Sequence, residues 1–424
     1  MTNSTIARHR VLGLLVLLFG ITYLDRVCIS VAGPRIQQEL HIGPIGWGWV
    51  TGAFTISYCI FEIPTGILGD RIGPRRVLTR IVLWWSAFTA LTGAVASYYP
   101  LLLTRFLFGA GEAGAFPNAS VVVSKWFSAD RRATICGVML AASQIGGALA
   151  PLLVVPIQSQ YGWRASFFMF GGVGVCWAIA WYTWFRDSPI QAEASTPSTH
   201  KEPTKQPGAV AHKFPWRAAF RSQSALAVLA TAFCYVYVFN FFQTWFHTFL
   251  QKGRGFSETG LLLSSLPFVV AALANLTGGT VSDALVSKLG PKQGRRVLGV
   301  TALTTAGVFT IAAMLTQQQI LTVAFLSIVY GSITFQQSVV FGVCLDIADK
   351  NAGAMVGMMN TAAQLGGLVG SVAYGYIVDH FDSYNAPFVP MAVLLFLGAS
   401  LWFRIDASEK LYLGRRGACA PLEA

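Results

Sequence analysis

The sequence predicts an all-α integral membrane protein with twelve transmembrane helices, arranged as two six-helix halves related by a pseudo-twofold axis. Three observations predict it. The 424 residues are 54% hydrophobic and only 11% charged, with a mean hydropathy of +0.56, which is too apolar for a water-soluble domain. The apolar residues gather into twelve runs of bilayer-spanning length, divided six and six by one polar segment. The two sets also echo each other: Gly66-Ile-Leu-Gly-Asp70 returns 213 residues later as Gly279-Thr-Val-Ser-Asp283, and Gln144-Ile-Gly-Gly147 returns 220 residues later as Gln364-Leu-Gly-Gly367. A duplicated six-helix unit implies a site between the halves near the bilayer midplane.

The first run, 11–33, carries Asp25 and Arg26 side by side. An ionisable group near the centre of a membrane helix costs roughly 2.5–3.5 kcal/mol on insertion scales, and such groups mark substrate or ion pathways. Adjacent helical residues diverge by about 100°, so Asp25 and Arg26 are expected to find separate partners rather than bridge each other. Arg8 and Arg10 ahead of the run imitate a signal peptide, but its length and the Asp-Arg pair make it a retained first helix.

Spans two to six are expected at 46–69, 77–96, 99–124, 134–157 and 165–185. The second carries Tyr58 and, one turn on, Glu62. The fourth carries Arg105 and Glu112, seven apart and therefore on nearly one face, ~10.5 Å along the axis. Asp25, Arg26, Arg105 and Glu112 are expected to share one low-dielectric cavity, where neutralising an acid changes the partner each arginine holds. The alternative is a permanent Arg105–Glu112 network that only ties helices together. Tyr58 is expected to contact substrate, and Glu62 to support the Asp70 loop more than to tune the site.

Between 186 and 221 the composition turns to Ser, Thr, Pro, Lys, Glu and His, a linker between the halves 1–185 and 222–424. The second half is expected to span at 224–250, 259–282, 296–316, 320–345, 353–378 and 386–404, with no acidic residue at depth. It offers uncharged polar groups instead. Asn240, Gln243 and His247 share a broad face of the seventh span with Tyr235 and Tyr237 nearby; Gln336, Gln337 and Ser338 cluster on the tenth; Asn360 and Gln364 lie one turn apart on the eleventh. Such groups suit the hydroxyls of a polyhydroxylated acid, or serve as interhelical glue worth ~0.6 kcal/mol each. Pro64, Pro117, Pro151 and Pro267, with Gly109-Ala-Gly111 and Gly114, fit spans that bend and pack closely.

The net charge of +12 is topological. With both termini cytoplasmic, 24 of the Lys and Arg residues fall inside, four outside (Arg35, Arg164, Lys252 and Arg254) and two within spans (Arg26 and Arg105). Nucleic acid is therefore excluded as a partner. The seven cysteines form no CxxC and read as packing residues rather than metal ligands. No GxxxxGK[ST], HExxH or GxSxG is present, which argues against ATP drive and against a membrane enzyme. A channel and a ligand sensor remain as readings from other classes, and saturable, pH-driven uptake separates both from a carrier.

Gly66-Ile-Leu-Gly-Asp-Arg-Ile-Gly-Pro-Arg-Arg76 lies in the short loop between the second and third spans. Its glycines permit close helix approach, and Asp70 can accept charge-assisted hydrogen bonds. Gly66, Asp70, Arg71, Arg75 and the echoing Asp283 form a candidate cytoplasmic gate. The stretch resembles the signature loop of the major facilitator superfamily. Finer resemblance, to the anion:cation symporter branch with its bacterial sugar-acid transporters and vesicular glutamate and sialic-acid carriers, is carried by Tyr23-Leu-Asp-Arg26, Tyr58 with Phe61-Glu-Ile-Pro64, and Arg105-Phe-Leu-Phe-Gly-Ala-Gly-Glu-Ala-Gly-Ala-Phe-Pro-Asn118. Lys125-Trp-Phe127 with Arg131, and Gly162-Trp-Arg164 with Phe167, extend it.

The resemblance implies the major facilitator fold, with Arg26 binding a substrate carboxylate and Asp25 and Glu112 carrying coupled protons beside Arg105. It favours Gln243, Ser338 and Asn360 among second-half contacts; Tyr23, Tyr58 and Gln364 complete the expected substrate set. Phe341 stands where relatives commonly carry Trp. The expected protein is a proton-coupled importer of an organic anion, above all a hexonate, hexuronate or aldarate, acting as a monomer in a bacterial inner membrane. Its coupling ion is the proton, and neither metal nor cofactor is expected. An aromatic or short dicarboxylic acid carrier and an uncoupled facilitator are the alternatives within the class. In the expected cycle, protonation from outside releases Arg26 to clamp the anion bidentately, and the loaded halves rock inward.

Overall fold

The computed structural model describes residues 3–127, 129–186, 219–348 and 352–409. The expected linker lies, from 187 to 218, outside the described residues. The first half contains α1 (Asn3–Glu39), α2 (Pro44–Ile72), α3 (Pro74–Ala94), α4 (Tyr98–Glu112), α5 (Ala115–Trp126), α6 (Ala129–Tyr161) and α7 (Trp163–Trp184). The second contains α8 (Gln223–Thr244), α9 (Leu266–Leu315), α10 (Gln319–Ala348), α11 (Ala352–Phe381) and α12 (Phe388–Leu401).

Twelve spans result because α4 and α5 are one span broken at Ala113-Gly114, while α9 is two spans folded at Gly290. The fold at Gly290 has a local cause. Gly290 adopts φ +79° and is followed by Pro291; Gly73, with φ +94°, precedes Pro74 in the matching loop of the first half. Glycine tolerates the left-handed backbone and proline opens the next helix, whose first N–H needs no partner. Leu17, Leu103, Ile179, Leu273 and Val393 are exposed on the outer faces of their helices, as helices in hydrocarbon require.

The repeated Gln-x-Gly-Gly has one structural use in both halves. A Cβ on Gly146 of α6 would meet the Gly20 carbonyl of α1, and a Cβ on Gly366 of α11 would meet the Phe233 carbonyl of α8. Each glycine lets two backbones touch. The halves themselves meet along two seams, α2 against α11 and α6 against α9. Gly48 would place a Cβ 2.9 Å from the Ser371 carbonyl, and Gly147 would place one 2.6 Å from the Phe268 ring.

One end of the assembly is tied across the halves. Arg35 donates to both Glu258 oxygens at 2.6 and 2.5 Å and to the Gln158 carbonyl. Gln37 donates to Thr248 at 3.1 Å and accepts from Lys252 at 3.2 Å, and Trp47 Nε1 reaches the Thr244 carbonyl at 3.4 Å. Arg164, paired with Glu39, and Arg254, donating to the Ala313 carbonyl at 2.9 Å, lie at this same end. The four cations that charge asymmetry assigns to the outer side thus gather together.

Gly146→Val and Gly366→Val are expected to destabilise the protein by about 2 kcal/mol each through backbone displacement. Gly172→Val, whose Cβ would meet no atom within 4 Å, serves as the reference. Thermal melting of the three variants in detergent measures the difference.

Candidate functional site

A cavity of about 590 Å³ lies between the halves. It runs from Thr51 and Thr244, beneath the tied end, to Gly66, Ser120 and Val356 near the opposite helix ends. Its size suits a small solute.

Arg26 projects into the cavity from the middle of α1 with 19% of its side chain exposed, and its Nε donates to Glu112 Oε1. Three rings surround the guanidinium: Tyr58 at 4.8 Å, Phe54 at 5.1 Å and Tyr23 at 5.4 Å. This is a cation–π cage that accommodates charge where water is scarce. Glu112 is the last residue of α4, at the break, and is 1% exposed, with Oε2 lacking a hydrogen-bond partner. The break arises in Gly111-Glu-Ala-Gly114, followed by Pro117, which has no N–H to give.

Arg105 also lines the cavity, stacked on Phe108 at 4.4 Å and Phe54 at 5.5 Å, with Nε buried and unpartnered. The Arg105–Glu112 network considered above is therefore replaced by an Arg26–Glu112 pair. Asp25 corrects a second expectation. It is not among the cavity-lining residues but lies 2% exposed behind them, beside Thr89 and within electrostatic reach of Glu112 and Arg105. The 100° step along α1 that sends Arg26 into the cavity turns Asp25 away from it.

The second half contributes uncharged groups. Gln243 Nε2 donates to Tyr330 Oη at 2.7 Å, and Tyr330 donates to Gln144 Oε1 at 3.2 Å across the halves, leaving Gln243 Oε1 unpartnered at the cavity. The role of Gln144 is not apparent from sequence, although the residue opens the repeated Gln-x-Gly-Gly. Asn240 is engaged with the Gly367 carbonyl at 2.8 Å and with Ser371. Asn360 and Gln364 both line the cavity.

Three expectations for these polar groups are corrected. Ser338 is not among the cavity-lining residues; Gln337 and Phe341, one turn apart on α10, are. Glu62 is cavity wall rather than a support for the Asp70 loop, its two oxygens accepting from Asn360 Nδ2 at 2.8 and 2.7 Å. His247 leaves the Asn240 and Gln243 face because α8 ends at Trp245 and a π-helical turn, Phe249–Gly253, follows. It is wholly buried between Ser30 at 2.9 Å and Ser264 at 2.8 Å. Ser264 donates its proton to the Leu261 carbonyl at 2.5 Å, so it accepts from His247 Nε2–H, and Ser30 donates to Nδ1.

Among the described residues, the members of the candidate gate have these positions. Gly66 lines the cavity beside Pro117 and Arg71 is exposed, while Arg75 donates to the Tyr182 carbonyl within the first half. The Asp70 side chain lies outside the described residues. Asp283 pairs with Arg295 at 3.6 Å, and Arg295 also holds Asp346 at 3.1 Å and Ser282 at 2.6 Å within the second half. In the second half these contacts join the loop to its own helices. Among the described residues no group of His, Cys, Asp and Glu could hold a metal.

Comparison with known proteins agrees with this architecture. The Major Facilitator Superfamily profile matches residues 15–371. The probable sulfoacetate transporter SauU of Cupriavidus necator is 32% identical over 398 residues, covering 92% of each chain, and the hexuronate transporter of Bacillus subtilis is 29% identical over 376 residues, covering 87% of each. A crystal structure of a bacterial homolog to the human lysosomal transporter Spinster, inward-facing and unoccupied, superposes with a TM-score of 0.76 at 19% identity, over 94% of this chain and 96% of that one.

Arg26→Ala is expected to lower stability by about 3 kcal/mol, because it strands the buried Glu112 carboxylate. Arg26→Ala with Glu112→Gln is expected to recover most of the loss, which melting of the two variants side by side would measure.

Proposed function

The chain belongs to the Major Facilitator Superfamily, and on that premise we propose that it is a proton-coupled secondary transporter importing an organic anion, above all a sugar acid, by alternating access. The family and the relatives are membrane transporters, not enzymes. The observation that carries the reading is Arg26, open to the cavity yet paired with Glu112. An incoming carboxylate and Glu112 compete for the same guanidinium fork. A proton taken up by Glu112 removes its charge and frees Arg26 for a bidentate clamp on the substrate. Asp25, in electrostatic reach of Arg105 and Glu112, is the second proton carrier.

The polar wall of Gln243, Asn360 and Gln364 then meets the substrate hydroxyls. The positive-inside rule assigns the end bearing Arg71, Arg75 and Lys288 to the cytoplasm. The described conformation is thus inward-facing. Return to the outward-facing state breaks the Arg35–Glu258, Gln37–Thr248 and Ser30–His247 ties. The protein works as a monomer in a bacterial inner membrane, with the proton as its coupling ion.

A second reading, a short dianionic acid, is favoured by two observations. One relative is named for sulfoacetate, and two arginines line the cavity.

Uptake of labelled galactonate, glucarate, glucuronate, tartrate, sulfoacetate and benzoate into proteoliposomes tests the proposal. Saturable accumulation of a sugar acid is expected, dependent on an outside-acid gradient and reduced more than a hundredfold by Arg26→Ala, a loss of about 3 kcal/mol. Accumulation indifferent to the gradient or to Arg26 would overturn the mechanism.

A further inference from the structure

Among the described residues, the ionisable side chains lining the cavity are two cations, Arg26 and Arg105, and two acids, Glu112 and Glu62. Glu112 is committed to Arg26. Glu62 is in electrostatic reach of Arg26 and lies one helical turn beyond Tyr58 on α2, about 6 Å further along the helix toward Gly66. There it faces Asn360 of the other half, whose amide donates to both carboxylate oxygens at 2.8 and 2.7 Å. A carboxylate has about four lone-pair sites, so acceptor capacity remains after Asn360 is satisfied. The far end of a solute anchored on Arg26 therefore meets a hydrogen-bond acceptor that is itself negatively charged when ionised.

We propose that Glu62 is a charge filter: it accepts hydrogen bonds from substrate hydroxyls and rejects a second anionic group, so that the transported class is monoanionic, hexonates and hexuronates rather than aldarates or sulfoacetate. The proposal rests on the reading of this cavity as the anion-transport site. With Asp25 and Glu112 each neutralised by a proton and Glu62 ionised, the charges of Arg26, Arg105 and Glu62 sum to one positive charge, which one carboxylate balances. A second carboxylate or sulfonate would add a negative charge and bring no proton to donate to Glu62. Two like charges ~6 Å apart at an effective dielectric of ~20 repel strongly enough to disfavour the dianion by about a hundredfold. A hydroxyl in the same place donates to Glu62 and is accepted.

A strut holding α2 to α11 through Asn360 would not distinguish solutes by charge. Matched pairs test this difference: galactonate against galactarate, and isethionate against sulfoacetate, each differing only in whether a hydroxymethyl is oxidised to a carboxylate. The readout is the monoanion-to-dianion ratio of kcat/KM in proteoliposomes at mildly alkaline pH, where the Glu62 carboxylate is ionised, taken within each protein so that expression and folding cancel. Kd ratios in detergent provide the same comparison for any variant that binds without transporting. The wild type is expected to favour the monoanion about a hundredfold. Glu62→Gln should bring the ratio toward one, and Glu62→Asp should keep it.

A wild-type ratio near one, or a ratio unchanged in Glu62→Gln, overturns the filter while leaving the transport reading intact. The charge step in the sulfonate pair with neither sugar acid bound would sustain the filter and overturn the sugar-acid reading. Absence of binding and uptake for both pairs in wild type and Glu62→Gln would overturn both.

Discussion

Placing charge in hydrocarbon is the constraint on which this structure depends. Arg26 and Glu112 are both too deep to reach the membrane surface, so each is held where the other neutralises it. The pair draws the rest of the site around it. Tyr23, Phe54 and Tyr58 cage the guanidinium, and the break between α4 and α5 ends α4 at Glu112. A pair locked on all sides would be a rivet. Arg26 instead keeps a face open to the cavity and Glu112 keeps one unpartnered oxygen, so each retains capacity for a further partner.

That partly open pair sits inside a scaffold built from two halves. Glycines at matching positions of the two halves bring α6 onto α1 and α11 onto α8, making each half stiff. Between the halves, among the described residues, polar ties gather at one end, where Arg35, Gln37, Ser30 and Trp47 reach the second half. Toward the other end Glu62–Asn360 is a cross-half link at the cavity wall. Stiff halves joined by separable contacts are what rocking demands, because packed interfaces switch between discrete arrangements rather than deform continuously.

Much of this could be read from the chain alone, and the reason is the bilayer. Hydrocarbon forces backbone groups to pair within each span, so twelve apolar runs mean twelve helices, and the echoed motifs mean two copies of one unit. The same argument makes Arg26 and Glu112 conspicuous, since an ionisable residue at depth needs a purpose. Polar but uncharged positions carry no such signal. Ser338 and Gln337 are adjacent in sequence and separated by 100° on the helix, and only the rotation of α10 against its neighbours selects Gln337 for the cavity.

The sequence by itself determined the fold class, the division into halves and the charged core of the site, because hydropathy and buried charge are properties of the residues wherever the helices sit. Tertiary structure decided the partners. Glu112 turned to Arg26 rather than Arg105, Asp25 was left behind the cavity wall, Glu62 reached across to Asn360, and His247 passed beyond a helix break into a serine-lined pocket. Each of those outcomes depends on helix rotation, on crossing distance or on one irregular turn. These are set by packing between segments far apart in the chain, and spacing along one helix does not encode them.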